Sequence, residues 1–478
     1  MAKDNNANFV EQIADIEKDF PQWYTDVVIK TKLVDYGPVK GTMIIRPYGY
    51  AIWENIQKEL DARFKATGHE NAYFPLLIPM SFFTKEAEHV EGFAPEVAVV
   101  THAGGEELSE PLAIRPTSET IFGSMYSKWI QSYRDLPVLI NQWANVMRWE
   151  KTTRPFLRTS EFLWQEGHTA HATEEEALDE TMKMLGVYKE FAENCLAIPV
   201  ICGRKTEKEK FAGAVATFGM EAMMKDGKSL QAGTSHYLGQ NFAKAFDIKF
   251  LDKDGVQKHV YTSSWGVSTR LIGALIMAHG DNRGLVLPPV VAPVQVVIVP
   301  IAQKKEGVLE ACQNLKQKLE KAGIRVTLDD GEQSPGWKFN EWEMKGVPLR
   351  IELGPRDIEN GKAMIFRRDS LEKSEYALDH IEKTVVDLLA TVQKDMLESA
   401  RKRRDSRIVY ADDQNGILQG VEGGNFVKAG WCGSLDCENS VKFNTQATAR
   451  VIAEGEKSCK CAVCGKKAAH TVIFARAY

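Results

Sequence analysis

The 478-residue chain contains no Gly-x-Gly at any position, so it lacks the element that lets a Rossmann backbone approach a pyrophosphate. Gly227-Lys228-Ser229 ends like a phosphate loop, but Ala222 stands where that loop requires its first glycine. No apolar run approaches the roughly 18 residues a membrane span needs. Residues 1–20 are polar and acidic, unlike the basic start and apolar block of a secretory leader. These absences point to a cytoplasmic protein without a membrane partner. A net charge of −5 excludes wholesale coating of nucleic acid, though not a local basic patch. The eight cysteines are then expected as thiols or metal ligands rather than disulfides. Internal repeats and low-complexity tracts are absent.

The composition is ordinary for a globular protein, with 44% hydrophobic and 26% charged residues, and the length suggests about three domains. Ile52, Ile56, Leu60 and Phe64 recur every four residues, an amphipathic helix closed by Gly68 and followed by a strand over 72–79. "PVLINQWANVMRWE" and "PFLRTSEFLWQEGHTAH" read as antiparallel strands joined by the charged stretch 151–154. A helix with an acidic first turn follows, then short strands, then a helix starting near Val267. The prolines of "RGLVLPPVVAPVQ" suit a linker, with a boundary near Pro289. Strands and helices alternate beyond it as in a small α/β unit, and a long helix over 387–404 leads into a cysteine-rich end. The expected class is α+β and multidomain, divided at 1–288, 289–385 and 386–478.

Without a glycine loop, a nucleotide must be held by side chains, and arginine suits phosphate because its planar fork bonds bidentately and stays charged. The hairpin offers Arg148 at the end of one strand, Arg158 at the entry of the next, and Phe162 four residues on. Composition alone allows equally a wet surface hairpin with ion pairs.

The pattern Arg148-Trp149-Glu150, loop, Arg158-x-x-x-Phe162 resembles motif 2 of the class II aminoacyl-tRNA synthetases. The helix and strand ending at Pro79 are similar to motif 1, and "SWGVSTRLIGALIMAHGDNRGLVLPP" to motif 3, with its arginine at Arg270. "RPTSET", "QAGTSHYLGQNF" and the cysteine-bearing tail resemble the prolyl-tRNA synthetases of the archaeal and eukaryotic type, and the likeness spans essentially the whole chain.

That resemblance implies an antiparallel-sheet catalytic domain, an α/β anticodon-binding domain and a small zinc-binding C-terminal domain. It implies that Arg148 bridges the α-phosphate of ATP and the proline carboxylate, that Arg158 and Arg270 hold the outer phosphates, and that Phe162 and Arg270 sandwich adenine. Glu150 would meet the adenine side, Thr159 and Gln231 would complete the nucleotide contacts, and Thr234 and Ser268 would close the floor. Thr117, Glu119, Trp164, Glu166 and His236 would hold proline, whose ammonium needs an anion and whose ring needs a dry wall. ATP with Mg²⁺, L-proline and tRNA(Pro) are the implied partners, in a homodimer formed through motif 1. The segment between Gly167 and Gln231 is too short for a large editing insertion.

Cys432-x4-Cys437 and Cys461-x2-Cys464 have the paired spacing of a structural zinc site, although Cys459 could replace one partner. Cys195, Cys202 and Cys312 read as buried thiols. His168 and His171 beside Glu166 read as hydrogen-bonded residues rather than a metal cluster. Arg350 and Arg356 are candidate RNA contacts, and residues 401–404 read as a solvated helix end. The end "HTVIFARAY" alternates like a strand, and similar prolyl enzymes close on a tyrosine that reaches the catalytic domain, which makes Tyr478 a candidate anchor. Alternatives are a synthetase for threonine, serine or glycine, or a tRNA-binding paralogue without activation chemistry.

Overall fold

The computed structural model describes residues 13–83, 85, 97–455 and 459–478. Residues 1–12 of the polar N-terminal stretch lie outside the described residues. The amphipathic helix runs over Pro47–Ala66 with Ile52, Ile56, Leu60 and Phe64 fully buried, and Gly68 leaves it at φ 86°. The strand expected over 72–79 is shorter. Only Leu77–Pro79 pairs, against Glu106–Ile114, because Pro75 has no N–H and the Phe74 N–H donates to Gln142 Oε1.

The hairpin consists of Val138–Met147 and Glu161–His171, with Val146 opposite Phe162 and Ala144 opposite Trp164. Its connection is longer than the charged stretch suggested. Residues 148–160 leave the ladder, so Arg148 and Arg158 sit in the loop and strand alternation does not place Arg158 on the face of Phe162. The next helix, Glu174–Asn194, opens on Thr173, whose hydroxyl accepts from the Glu176 N–H while the Glu176 carboxylate accepts in return. The helix expected near Val267 begins at Arg270, because Val267 is inside the strand Tyr261–Ser268 with its side chain in the core.

One eleven-stranded sheet forms the body of the molecule. The hairpin lies toward one edge, followed by Tyr261–Ser268, Ser229–Gly239, Ala216–Met223 and Val200–Arg204. The cysteine-rich end, expected as a small C-terminal domain, docks so that its strands continue this sheet. Ile452 of strand Thr448–Ile452 pairs with Arg204, and His470–Ala475, Phe426–Trp431 and Ile408–Ala411 extend it.

A buried ionic cluster reinforces this junction. Glu221 accepts from Lys205 Nζ at 2.5 Å, from Arg450 Nε and Nη2 at 3.1 Å, and from Ser229 Oγ at 2.6 Å. Burial by itself would raise the Glu221 pKa, but the Lys205 and Arg450 charges outweigh it and hold the carboxyl at about 2, while burial draws the Lys205 ammonium down. Nearby, Gly227 takes φ 80° in a turn where an added Cβ would meet the Gly424 backbone at 2.1 Å, so the two domains touch main chain to main chain.

The α/β unit is a mixed five-stranded sheet in the order Val326–Leu328, Val296–Pro300, Leu349–Leu353, Lys362–Arg367, Lys373–Ala377. The proline-rich segment before it has no regular structure, as expected of a linker, yet it is packed rather than loose. Leu285, Leu287, Val291 and Ala292 are buried, and Arg325 donates to the carbonyls of Pro289, Val290 and Ala292. The long helix spans Ile381–Asp405 and packs Ile381, Val385 and Leu389 on the α/β core. Its basic end is only partly solvated, with Lys402 and much of the Arg401 side chain open to water. Arg401 pairs with Glu193 at 2.9 Å, Arg403 Nη2 donates to Ala278 O at 2.7 Å, and only Lys402 of the run is exposed. Arg350, a candidate RNA contact, is buried between the rings of Phe339 and Phe366 and bonded to Glu343 and Glu352, whereas Arg356 is exposed.

Replacing Arg450 by Met would leave Glu221 and Lys205 without a third charge, and removing one member of a buried ionic group costs about 3–5 kcal/mol. Denaturant melts of Arg450→Met should show that loss at pH 7. Because the folded Glu221 pKa lies below the usual 4.5, the cluster's contribution is complete above pH 4.5 and lost as pH falls toward 2, so the difference between the two proteins should shrink across that window.

Candidate active site

Strand register builds a cleft on the open face of the sheet. On Glu161–His171 the even positions Phe162, Trp164, Glu166 and His168 line the cleft, while Leu163 and Gln165 face the helices beneath. Thr217, His236, Ser264 and His168 stand opposite one another on four strands and make one row. Gly219, Thr234, Gly266, Glu166 and Gln142 make the next. Gly219 makes room for the Lys205 side chain, whose Cε would lie 2.4 Å from an added Cβ, while above Gly266 the nearest atom is Gln165 O at 3.1 Å. Gly167 faces the other way, where an added Cβ would fall 2.1 Å from the Trp265 ring, so the indole can lie across the strand only because position 167 has no side chain.

The cleft encloses about 220 Å³ and has two chemically different ends. At the acidic end, Glu119 reaches in from the start of helix Glu119–Trp129. Its Oε2 accepts from Thr117 Oγ1 at 2.5 Å and its Oε1 from Ser264 Oγ at 3.2 Å. Glu166 accepts from Ser118 Oγ at 2.5 Å and Gln142 Nε2 at 2.8 Å, and meets His168 Nε2 at 2.9 Å. His236 lies between Thr217 Oγ1 and Thr234 Oγ1, each 3.0 Å away. Burial pulls its pKa down to about 4 against the opposing pull of Glu119, so the ring is neutral at pH 7 and does not cancel the carboxylates. Trp164 walls this end, and its buried Nε1 has no hydrogen-bond partner among the described residues.

Basic groups gather at the other end. Arg148 anchors through Nε to Pro116 O at 3.0 Å and spreads over the rings of Phe162 and Trp164. Arg270 is held by Nε on Leu157 O at 3.0 Å, and burial with the charges of Arg148 and Arg158 lowers its pKa to about 10. It remains a cation at neutral pH. Two guanidinium groups in the cleft beside an aromatic ring, with a third on the adjoining loop near enough to repel them, describe a polyanion site with a place for a flat base.

Gln231 and Ser268 line the cleft with these groups. Three expected residues do not. Arg158 is 54% exposed with Glu150 at 3.8 Å, and Thr159 is buried with its hydroxyl donated to Glu161 O. Sequence reasoning missed Ser118, Gln142, Ser264, Thr217 and the segment Glu209, Lys210, Phe211. Only the alternation of the hairpin strands could have pointed to Gln142, and no local signal marks the others.

The cysteine pairs meet as expected. Cys432 Sγ lies 3.6 Å from Cys437 Sγ and 3.8 Å from Cys464 Sγ, and with Cys461 all four sulfurs fall within 4.8 Å. Tetrahedral zinc with bonds of about 2.3 Å separates thiolates by about 3.8 Å, so the donor set and spacing fit that ion. Cys459 is exposed and outside the group. Cys195 and Cys312 are buried and Cys202 half-buried. Among the described residues no cluster of metal-ligating type includes His168 or His171. Tyr478 lies on the large sheet's domain, its hydroxyl donating to Asp226 Oδ2 at 2.6 Å and its ring under Lys228 and Arg154.

Comparison with known proteins matches this geometry to a class. The family model for the tRNA synthetase class II core domain (G, H, P, S and T) matches residues 100–279, that for the anticodon binding domain residues 295–388, and that for the prolyl-tRNA synthetase C-terminal domain residues 416–478. The fold and cleft are those of a class II aminoacyl-tRNA synthetase. A proline–tRNA ligase of Acetoanaerobium sticklandii is 61% identical over all of both chains, and one of Alkaliphilus oremlandii is 62% identical over 98% of each. A crystal structure of prolyl-tRNA synthetase from Cryptosporidium parvum with halofuginone and AMPPNP superposes with TM-score 0.94 at 42% identity, covering 97% of this chain and 99% of that one. The chain belongs to the prolyl-tRNA synthetase family.

Gly167→Ala should force the Trp265 ring out of its place. Overpacking of this kind costs about 1–3 kcal/mol, to be measured in a denaturant melt. The indole environment should shift with it in a tryptophan fluorescence spectrum.

Proposed function

We propose that the chain is a proline–tRNA ligase, which joins L-proline and ATP into prolyl-adenylate and pyrophosphate and then transfers proline to the 3′ end of tRNA(Pro). The observation that carries this reading is the two-ended cleft, with hydrogen-bonded carboxylates at one end and converging arginines at the other. A proline carboxylate oxygen attacks the α-phosphorus and pyrophosphate leaves. A ribose hydroxyl then attacks the prolyl carbonyl and AMP leaves. Neither step needs a protein nucleophile, so catalysis comes from positioning and charge neutralisation.

In this reading Glu119 and Thr117 hold the proline ammonium, Trp164 covers the ring, and Glu166 and His236 shape the far wall. Arg148 bridges the carboxylate and the α-phosphate, Arg270 holds outer phosphates and stacks with Phe162 on adenine, and Gln231, Thr234 and Ser268 complete the floor. Arg158, Glu150 and Thr159 keep their nucleotide roles only if the 148–160 loop draws in over ATP, which brings Mg²⁺ with it as co-substrate. The apolar wall of Trp164 beside the carboxylates suits proline's ring better than the side chains of threonine, serine or glycine, and the retained arginines argue against a paralogue without activation chemistry.

Several finer assignments belong to the same proposal. The archaeal and eukaryotic type is supported by the cysteine-bearing C-terminal domain and by the single helix and short strands between Gly167 and Gln231, where an editing insertion would stand. The two ligases of Acetoanaerobium sticklandii and Alkaliphilus oremlandii are bacterial, so this would be that architecture in a bacterial lineage. Divisions near 288 and 385, dimerisation through the surface of Tyr73 and Leu77, both exposed, and a cytoplasmic site of action complete it. Zinc held by Cys432, Cys437, Cys461 and Cys464 would tie the two cysteine pairs together.

ATP–pyrophosphate exchange should depend on proline, and larger exchange with threonine, serine or glycine would reject the assignment. Arg148→Ala should slow exchange by about 100- to 1000-fold, the loss expected when one preorganised donor to developing charge is removed. Metal analysis should find about one zinc per chain, kept in Cys459→Ser and lost in Cys464→Ser. Sedimentation should give twice the 53.5 kDa chain mass.

A further inference from the structure

The loop 205–215, between strands Val200–Arg204 and Ala216–Met223, has one side in the cleft and the other on the C-terminal domain. Toward the cleft, the Phe211 ring lies on His236 with centroids 4.5 Å apart. The Phe211 N–H donates to Thr217 Oγ1 at 2.9 Å, and that hydroxyl meets His236 Nδ1. On the far side, Thr206 Oγ1 donates to Glu438 Oε1 at 2.8 Å and Lys208 Nζ to Asn439 Oδ1 at 2.6 Å. Thr206 and Glu438 are 2% and 3% exposed, so water cannot replace either partner. Glu438 and Asn439 directly follow Cys437 on helix Leu435–Thr445.

We infer that Glu438, assisted by Asn439, is a positioning residue for the amino-acid end of the cleft. It fixes the rear of the 205–215 loop, and the loop in turn fixes the Phe211 ring against His236. A tether five residues from Phe211 transmits little slack, because the loop is also pinned at Lys205 by Glu221 and at Gly213, whose carbonyl accepts from Asn241. Arg148, Phe162 and Arg270 are carried by other elements, so loss of the tether falls on the amino acid and not on the nucleotide. The inference rests on the reading of the cleft as the site of proline activation, and it makes the cysteine cluster's helix part of that site's support.

In the full chain, Glu438→Ala should raise the KM for proline in pyrophosphate exchange about tenfold while the KM for ATP stays within about twofold, the effect of losing one buried hydrogen bond. Glu438→Gln keeps an acceptor for Thr206 and should restore the wild-type KM. Thr206→Val should reproduce the defect, and combining it with Glu438→Ala should add little. Independently of activity, amide exchange over 205–214 should quicken in Glu438→Ala with metal content unchanged. Equal rises in both KM values, or wild-type proline KM and protection in Glu438→Ala, would overturn the inference. If Glu438→Ala loses its metal or its fold, Thr206→Val decides in the same terms. Wild-type exchange without proline dependence would instead reject the assigned function, and the amide-exchange comparison would still judge the tether.

Discussion

The carboxylate of Glu221 is the constraint on which the arrangement of the domains depends. A buried carboxylate is tolerable only with partners, and its partners come from both sides of a domain junction: Lys205 and Ser229 from the body of the sheet, Arg450 from the cysteine-rich end. Meeting that requirement aligns strand Thr448–Ile452 with strand Val200–Arg204, where one backbone pair carries the sheet across. The Tyr478 contact with Asp226 and the helix Leu435–Thr445 behind the 205–215 loop follow from the same docking.

Within the sheet the site is a matter of rows. Four strands in fixed register place Glu166, a neutral imidazole and hydroxyls in line, and Glu119 from a helix start and Phe211 from the 205–215 loop complete the end. Rigid strands suit an amino-acid pocket that must distinguish small differences in shape. The phosphate end relies instead on long arginines reaching from the end of the hairpin's first strand and from the start of helix Arg270–His279. Their mutual repulsion leaves that end incomplete without an anion.

Local patterns made much of this legible. The four-residue recurrence from Ile52 to Phe64 and the existence of the hairpin follow from periodicity, and the cysteine pairs from spacing. The motif likeness then supplied roles that no periodicity contains. Hidden from the sequence were contacts between distant segments. The basic run ending at Arg404 looked like a wet helix terminus because its acceptors, the Glu193 side chain and the Ala278 carbonyl, lie far away in the chain. Arg350 looked available to RNA because the rings and carboxylates that enclose it come together only in the folded α/β sheet. The hairpin loop was misjudged for a different reason, since residues that leave a ladder early are chemically no different from those that stay.

The junction at Glu221 has a consequence for the nascent chain. Its partner Arg450 is 229 residues further on, and at about 5–20 residues per second the ribosome needs roughly ten to fifty seconds to supply it. Throughout that interval strand Val200–Arg204 lacks its native neighbour and Glu221 its second cation. The edge cannot close by local pairing, because its native neighbour has not yet been made. Glu221, one strand in from that edge, has Lys205 and Ser229 as its early partners, and the strand that finally covers the edge brings the second cation.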